Sequence, residues 1–390
     1  MATEFTTTVK SSGGDYTSLS AAESGLQNDL TLSTIKVFSI SAYSTPTITA
    51  GDTVLGQASS ATGVCVLVNA TRTQILIKTI AVASFQSGEV VQKTADANVN
   101  VTLSSTGDSP IVGIACYSMS DTTAVTIDGS TTNATNYMNI YTPTSERHDG
   151  KWNTGKYNLT VSTARALGLS DGYIRVDGLQ ISVSGNAFYY AIQGTVGDCL
   201  VTSCICRATA DVQYLIVNST GNFTMRNTLV YDSTRYGISL QSAGTQTLQN
   251  VTVANCPRNG IQRTAGTAVV TNCLSHNNGD GVTYFDFLGT LTATYCASKD
   301  ASADDNGGAG NRINQTFTFV DATNKDFHLA SPDAGAKDYG TDLSGSFTID
   351  IDGQTRSGSW DIGADEYIAV GGLSIPIAMY HYQHHIGSGV

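Results

Sequence analysis

The chain has 390 residues, 41% hydrophobic and 13% charged, with a formal net charge of −12. That length supports a large core, and the acidic balance argues against nucleic acid or anionic membrane as partners, since both need Lys and Arg. No run of 18 apolar residues offers a membrane span, and residues 1–5 lack the basic-then-apolar order of a secretory signal, so synthesis in a cytosol without the usual export route is expected.

Residues 1–33 read as an entry and cap. Gly13-Gly14-Asp15 marks a turn, Tyr16, Leu19, Ala22 and Leu26 then recur near helical spacing, and Ser20 with Glu23 fits a capping box. A short amphipathic helix there would cover an open apolar end that otherwise invites aggregation. Residues 34–110 break the pattern of the rest. Gly51-Asp52-Thr53-Val54 and Gly88-Glu89-Val90-Val91 look like two copies of one unit, with alternating strands between them. They predict a small, separate antiparallel β domain inserted into the first rungs of a larger fold. Strands resume near Val112, over 124–129, 137–141, 157–161 and 173–176.

The stretch from Gly172 to Asp300 repeats. Segments starting at Gly178, Ser203, Asn227, Asn250, Asn272 and Tyr295 lie 25, 24, 23, 22 and 23 residues apart, a period that points to stacked repeats. Two places before each start sits Val176, Val201, Met225, Leu248, Val270 or Ala293, and one and three places after it sit further apolar or small residues. A straight strand alternates its faces and cannot turn all three positions inward. A bend at the start can, and Asn and Gly tolerate the left-handed backbone it needs. A second apolar mark recurs at Ala191-Ile192, Leu215-Ile216, Gly237-Ile238, Gly260-Ile261 and Gly281-Val282. Each repeat therefore holds three strands and three bends, one rung of a parallel β-helix with Asn stacked at a corner and rungs roughly 4.8 Å apart. Cys204, Cys273 and Cys296 share one inward phase and Cys206 a second, so they read as buried thiols rather than disulfides or metal ligands.

A wider resemblance follows from residues 13–19, Thr126-Ile127-Asp128-Gly129, residues 146–150 and residues 173–179, which look like right-handed parallel β-helix proteins of phage and environmental bacterial genomes. Residues 326–329, 331–335, 350–353 and 361–367 resemble the closing motif of such solenoids, and the Gly-Asp/Glu-x-Val units resemble a module of bacteriophage virion proteins. The implied fold is all-β: a right-handed parallel β-helix with a short N-terminal capping helix and a small inserted β domain. Its parts are 1–33 (cap and entry), 34–110 (insert), 111–325 (β-helix), 326–368 (closing motif) and 369–390 (docking tail). Residues 301–313 read as a solvated loop. In the tail, Leu373, Ile375, Ile377 and Met379 alternate beyond Gly371-Gly372, and with Tyr380 and Tyr382 they are the expected assembly contacts.

Since β-helices of this kind often act on polysaccharide, paired carboxyls are the chemistry to look for. Only five Glu exist, four of them in caps, insert or closing motif, and Asp177, Asp211, Asp232, Asp280 and Asp286 share no rung phase; Asp304-Asp305 falls in the loop. Residues 146–149 fit a turn better than a site. Asp350, Asp352 and Gly353 begin like a calcium loop whose later ligands fail, which favours a tight turn. His381, His384 and His385 could hold a metal but lie at a terminus, where plain contacts are commoner. No catalytic, metal or cofactor residue is therefore assigned. A stiff solenoid, no export signal, a phage-like inserted module and an apolar docking tail together lead to the expectation of a non-enzymatic virion structural protein, a surface-displayed capsid decoration or appendage. It would be a homotrimer contacting other virion proteins such as the major capsid protein or tail proteins. The alternatives are a tailspike or tail-fibre protein binding or cleaving host glycan, and a bacterial surface adhesin.

Overall fold

The computed structural model describes residues 2–369 apart from 82, 186–187 and 306–307. Three parallel sheets wind around one core. Sheet A has nine strands, from Ala2–Val9 to Thr292–Thr294; sheet B has eight, from Ser120–Asp121 to Ala297–Ser298; sheet C has seven, from Val125–Ile127 to Phe287–Leu288. Each rung runs A, B, C, and about eight turns stack. The bend between A and B falls on the six repeat starts. Gly178, Ser203, Asn227, Asn250, Asn272 and Tyr295 all have positive φ, between 43° and 75°. The bend does not interrupt pairing, because these residues still donate their N–H to the next rung, as Asn250 does to Thr271 O at 3.0 Å. With the corner turned, Val176, Leu179 and Ile181, and their equivalents Val201, Cys204 and Cys206, all point into one core. All eight cysteines are free and buried.

Four local expectations are corrected. Helix Leu19–Leu26 is capped by Ser18, whose side chain accepts from Ala21 N, rather than by Ser20. The Leu19 N–H is taken by Asp121 Oδ2 at 2.7 Å, and Glu23 turns to Gln27 and to Asp128 N, so no capping box forms. The last apolar mark is Phe287, paired with Ile261, whereas Val282 is 81% exposed. Residues 279–285 are an excursion, tied by Asp280 Oδ1 accepting from the N–H of Val282, Thr283 and Tyr284; a Gly followed by Val there imitates the rung pattern. Residues 301–313 are not simply a solvated loop. The 3-10 turn Ser302–Asp304 carries Ala303 into the core, and Arg312 pairs with the last rung at Cys296 O. Finally, the asparagines do not form a continuous stack at the A/B corner. Only Asn272 donates to Asn250 there, at 3.1 Å. A longer amide chain occupies the B/C corner: Lys299 to Asn277 to Asn255 to Asp232, ending on Lys325.

Between the first strand and the next rung, six antiparallel strands from Ile35–Tyr43 to Asp96–Leu103 close into a barrel with its own core of Phe38, Val54, Cys65, Ile75, Ile77, Val91 and Val101. Its two Gly-acid turns are built alike. Gly51 and Gly88 have φ of 84° and 83°, and the following Asp52 and Glu89 each accept from the N–H three residues earlier, Thr49 and Gln86. The barrel also touches the solenoid: Ile35, Val37 and Leu76 join the solenoid's core cluster. Gln74 bonds Thr6 N and Glu4 O at 3.0 and 2.8 Å. Asn69 reaches Thr6 O, and Asp15 takes Thr8 N. Side chains thus fill the free edge of the first strand, a site otherwise open to pairing with another chain.

The C-terminal segment, 314–369, does not lie over the end of the solenoid. It lies along the outer face of sheet B, where outward Ile205, Leu229, Tyr231 and Ala254 meet Phe327, Ile351 and Ala364, and Leu274 and Ala297 meet Phe317, Leu329 and Ile362. The corner asparagines grip its backbone. Asn227 donates to Ile349 O, Asn250 to Asp361 O and Gly363 O, and Asn272 to Thr341 O. The expected assembly contacts Leu373, Ile375, Ile377, Met379, Tyr380 and Tyr382 lie outside the described residues.

Candidate functional site

Three of the acidic residues weighed in the sequence are separated, each with its own cation. Asp177 pairs with Arg147 and Asp232 with Lys325 at 2.8 Å; Asp211 lies 3.9 Å from Arg235. Residues 144–150 form a turn in which His148 is buried with Nε2 2.8 Å from Ser203 O. Burial pushes its pKa down to about 4.

On the β-helix itself, a carboxyl pair comes together beside the last rungs. Asp286 and Asp300 border a surface hollow with Asp280 and Lys299. Burial first, then the Asp300 carboxylate, push the Asp286 pKa up to about 7, the range in which a general acid works. Reach decides against that use. Asp286 is 1% exposed, and its oxygens accept from Ser275 Oγ, Asn278 N, Asn278 Nδ2, Lys299 N and Asp300 N. Asp300 in turn accepts from Asp286 N, Ser302 N and Ser302 Oγ. Gly260 leaves the room this knot requires, since a Cβ there would lie 2.3 Å from Ser275 Oγ. The pair ties the excursion at 279–285 to the last rungs.

The largest concentration of buried charge is in the C-terminal segment. Arg356, with a fully buried side chain, donates to Glu366, to Asn227 Oδ1 and to the carbonyls of Gly363 and Ala364. Asp350 accepts from Asp352 N, Gln354 N and Glu366 N, which makes the tight turn. Burial and the Asp352 carboxylate push Asp350 up. His328, Asp352 and Asp365 bring three ligand-type atoms within 4.8 Å of one another, a grouping that spacing alone does not reveal.

A model of the right-handed β-helix region matches residues 166–326. The fold is a right-handed parallel β-helix. No curated protein matches the chain. Among solved structures, the crystal structure of pectate lyase Pel9A is similar at 12% identity, with a TM-score of 0.31, over 66% of this chain and 88% of its own. That similarity is too distant to carry an activity.

The exposed chemistry of the β-helix is aromatic. Tyr214 and Tyr236 open successive strands of sheet C, Tyr190 lies two residues before the preceding one, and the three stack half-buried, with ring centroids 6.4 and 4.9 Å apart; Tyr284 meets Tyr236 edge-on at 6.2 Å. The Arg258 guanidinium lies 5.2 Å from both of the last two rings and donates to Tyr236 Oη at 3.0 Å. The signal was present as Tyr190-Ala191-Ile192, Tyr214-Leu215-Ile216 and Tyr236-Gly237-Ile238, a Tyr two places before each inward Ile.

Proposed function

We propose that the protein is a non-enzymatic structural protein displayed on a virus particle, a β-helical decoration or appendage that assembles as a homotrimer through its C-terminal tail. The observation that carries the non-enzymatic part is the use made of the buried acids. Asp286 and Asp300 have their oxygens occupied by donors from their own rungs. The outer face of sheet B, over its last five strands, is covered by the chain's own C-terminal segment, which buries Asp350, Asp361, Asp365 and Glu366. The duplicated Gly-acid turn of the barrel supports the virion reading through its resemblance to a phage module. Incubation with a panel of bacterial capsular and cell-wall polysaccharides should release no sugar; release abolished by Asp286→Asn would overturn the non-enzymatic reading. Sedimentation should give three chains per particle, and labelled antibody should decorate intact virions.

A second reading, recognition of host glycan by a tailspike-type protein, is favoured by the tyrosine ladder. Aromatic rings with a neighbouring Arg suit contact with sugar and its acidic groups. A glycan array probed with wild type and Tyr214→Ala separates the two, since only the second reading expects a signal that the substitution removes.

A further inference from the structure

Three passes of the C-terminal segment converge on His328. The imidazole comes from strand Asp326–Leu329, Asp352 from the turn after Ile351, and Asp365 from the final run. Asp326 Oδ1 sits 2.5 Å from His328 Nδ1 and is itself paired with Lys151 at 3.2 Å. A carboxylate on Nδ1 fixes the tautomer and leaves Nε2 as a lone pair, the arrangement that metal-ligating histidines use. Nε2 points to Asp352 Oδ2, 3.7 Å away. Asp352 Oδ2 also accepts from Gln354 Nε2 at 2.7 Å, the Asp350 carboxyl bonds to the same side chain, and Asp352 Oδ1 is buried with no N–H or hydroxyl donor. A hollow of about 10 Å³ borders His328 and Asp365, and Asp352 does not line it.

We propose that His328 Nε2, Asp352 and Asp365 bind a divalent cation of the zinc or manganese class, which joins the three passes to one another. One imidazole and two carboxylates suit those ions, whereas calcium takes about six to eight oxygens. In a tetrahedral zinc site neighbouring ligand atoms are about 3.3 Å apart, so the ligands must close from their present spread of up to 4.8 Å. Asp352 sits in a turn before exposed Gly353, whose φ is 89°, so its movement would exchange the bond from Gln354 Nε2 for the ion. The competing arrangement is an imidazolium held by the same carboxylates with no metal.

The test uses the full chain, stripped with EDTA and dialysed, then titrated calorimetrically with Zn²⁺ and separately with Ca²⁺. A variant with His381, His384 and His385 all changed to Ala removes binding by the tail. Zinc should bind this variant at one site per chain, and His328→Gln in the same background should abolish it. Asp326→Asn should weaken it about 10–100-fold, as loss of a carboxylate behind a metal-bound His does. Calcium should give no comparable heat. A wild-type readout covers the case in which His328→Gln does not fold: trace Mn²⁺ should broaden the His328 ring resonances of the wild type before those of His148 or His276. No zinc binding in the tail variant, equal stoichiometry with and without His328, or broadening that spares His328 would overturn the proposal.

Discussion

Asn250→Val tests the corner and the grip on the C-terminal segment together. Asn250 is fully buried, with φ of 52°. Its amide donates to Asp361 O at 3.0 Å and Gly363 O at 2.9 Å, and its oxygen accepts from Asn272 at 3.1 Å. Valine removes all three bonds, at about 1 kcal/mol each net. It also places a β-branched residue in left-handed backbone, a further ~1–2 kcal/mol. The expected loss is about 4–5 kcal/mol by these two principles. Asn250→Gly separates the contributions: it loses the same bonds, accepts the positive φ, and should be less destabilising than Val by about the strain alone, ~1–2 kcal/mol. Urea unfolding followed by Trp fluorescence is the assay, because buried Trp360 adjoins Asp361 in the gripped segment; far-ultraviolet circular dichroism follows the rungs in parallel. A loss below about 1 kcal/mol for Val would refute the energetic argument. Equal losses for Val and Gly would show that the left-handed corner carries no strain.

The remaining predictions concern other parts of the chain. His148 is held neutral, with its pKa lowered to about 4 by burial. Its contribution to stability is complete above the ordinary value near 6.5 and falls as pH drops toward 4, because the unfolded state then binds the extra proton. The His148 ring signals should not titrate above about pH 5, and His148→Gln should show a flatter loss of stability between pH 7 and 4 than wild type; a ring titrating near 6.5 would refute the assignment. Thiol labelling of native protein should be slow at Cys204, Cys273 and Cys296, where burial raises the pKa of Cys204 to about 12 and that of Cys273 well above its usual range. Rapid native labelling at all three would contradict the inward phase. Truncation after Tyr367 should leave the melting temperature of the β-helix almost unchanged while abolishing trimers; early melting with assembly intact would show that the tail stabilises its own chain instead.

The rung corner was legible because it is a backbone requirement. A left-handed residue must recur at each turn, and Gly178, Asn227, Asn250 and Asn272 are types that accept one. Tyr295 meets the same requirement without the favoured chemistry, and only its period revealed it. What the asparagine side chains do was not legible, since their partners lie 69 to 122 residues further along. Val282 misled because a Gly-apolar pair inside an excursion looks like one inside a rung. The His328 grouping joins three passes whose spacing carries no fixed interval, so no motif announces it. The tyrosine row, by contrast, was readable as Tyr-x-Ile and needed only the phase of sheet C.

The segment lying across sheet B changes how the stack can come apart. A solenoid whose rungs touch only their neighbours behaves nearly as a one-dimensional chain and can fray from either end, one rung at a time. Here Asn227, Asn250 and Asn272, on three successive rungs, are all fastened to the same segment. Loss of any one of those rungs must also loosen the segment from the other two. Because that segment is synthesised after every rung it touches, it acts as a latch. The rungs can stack and slip into register while it is absent, and once it docks they open together or not at all.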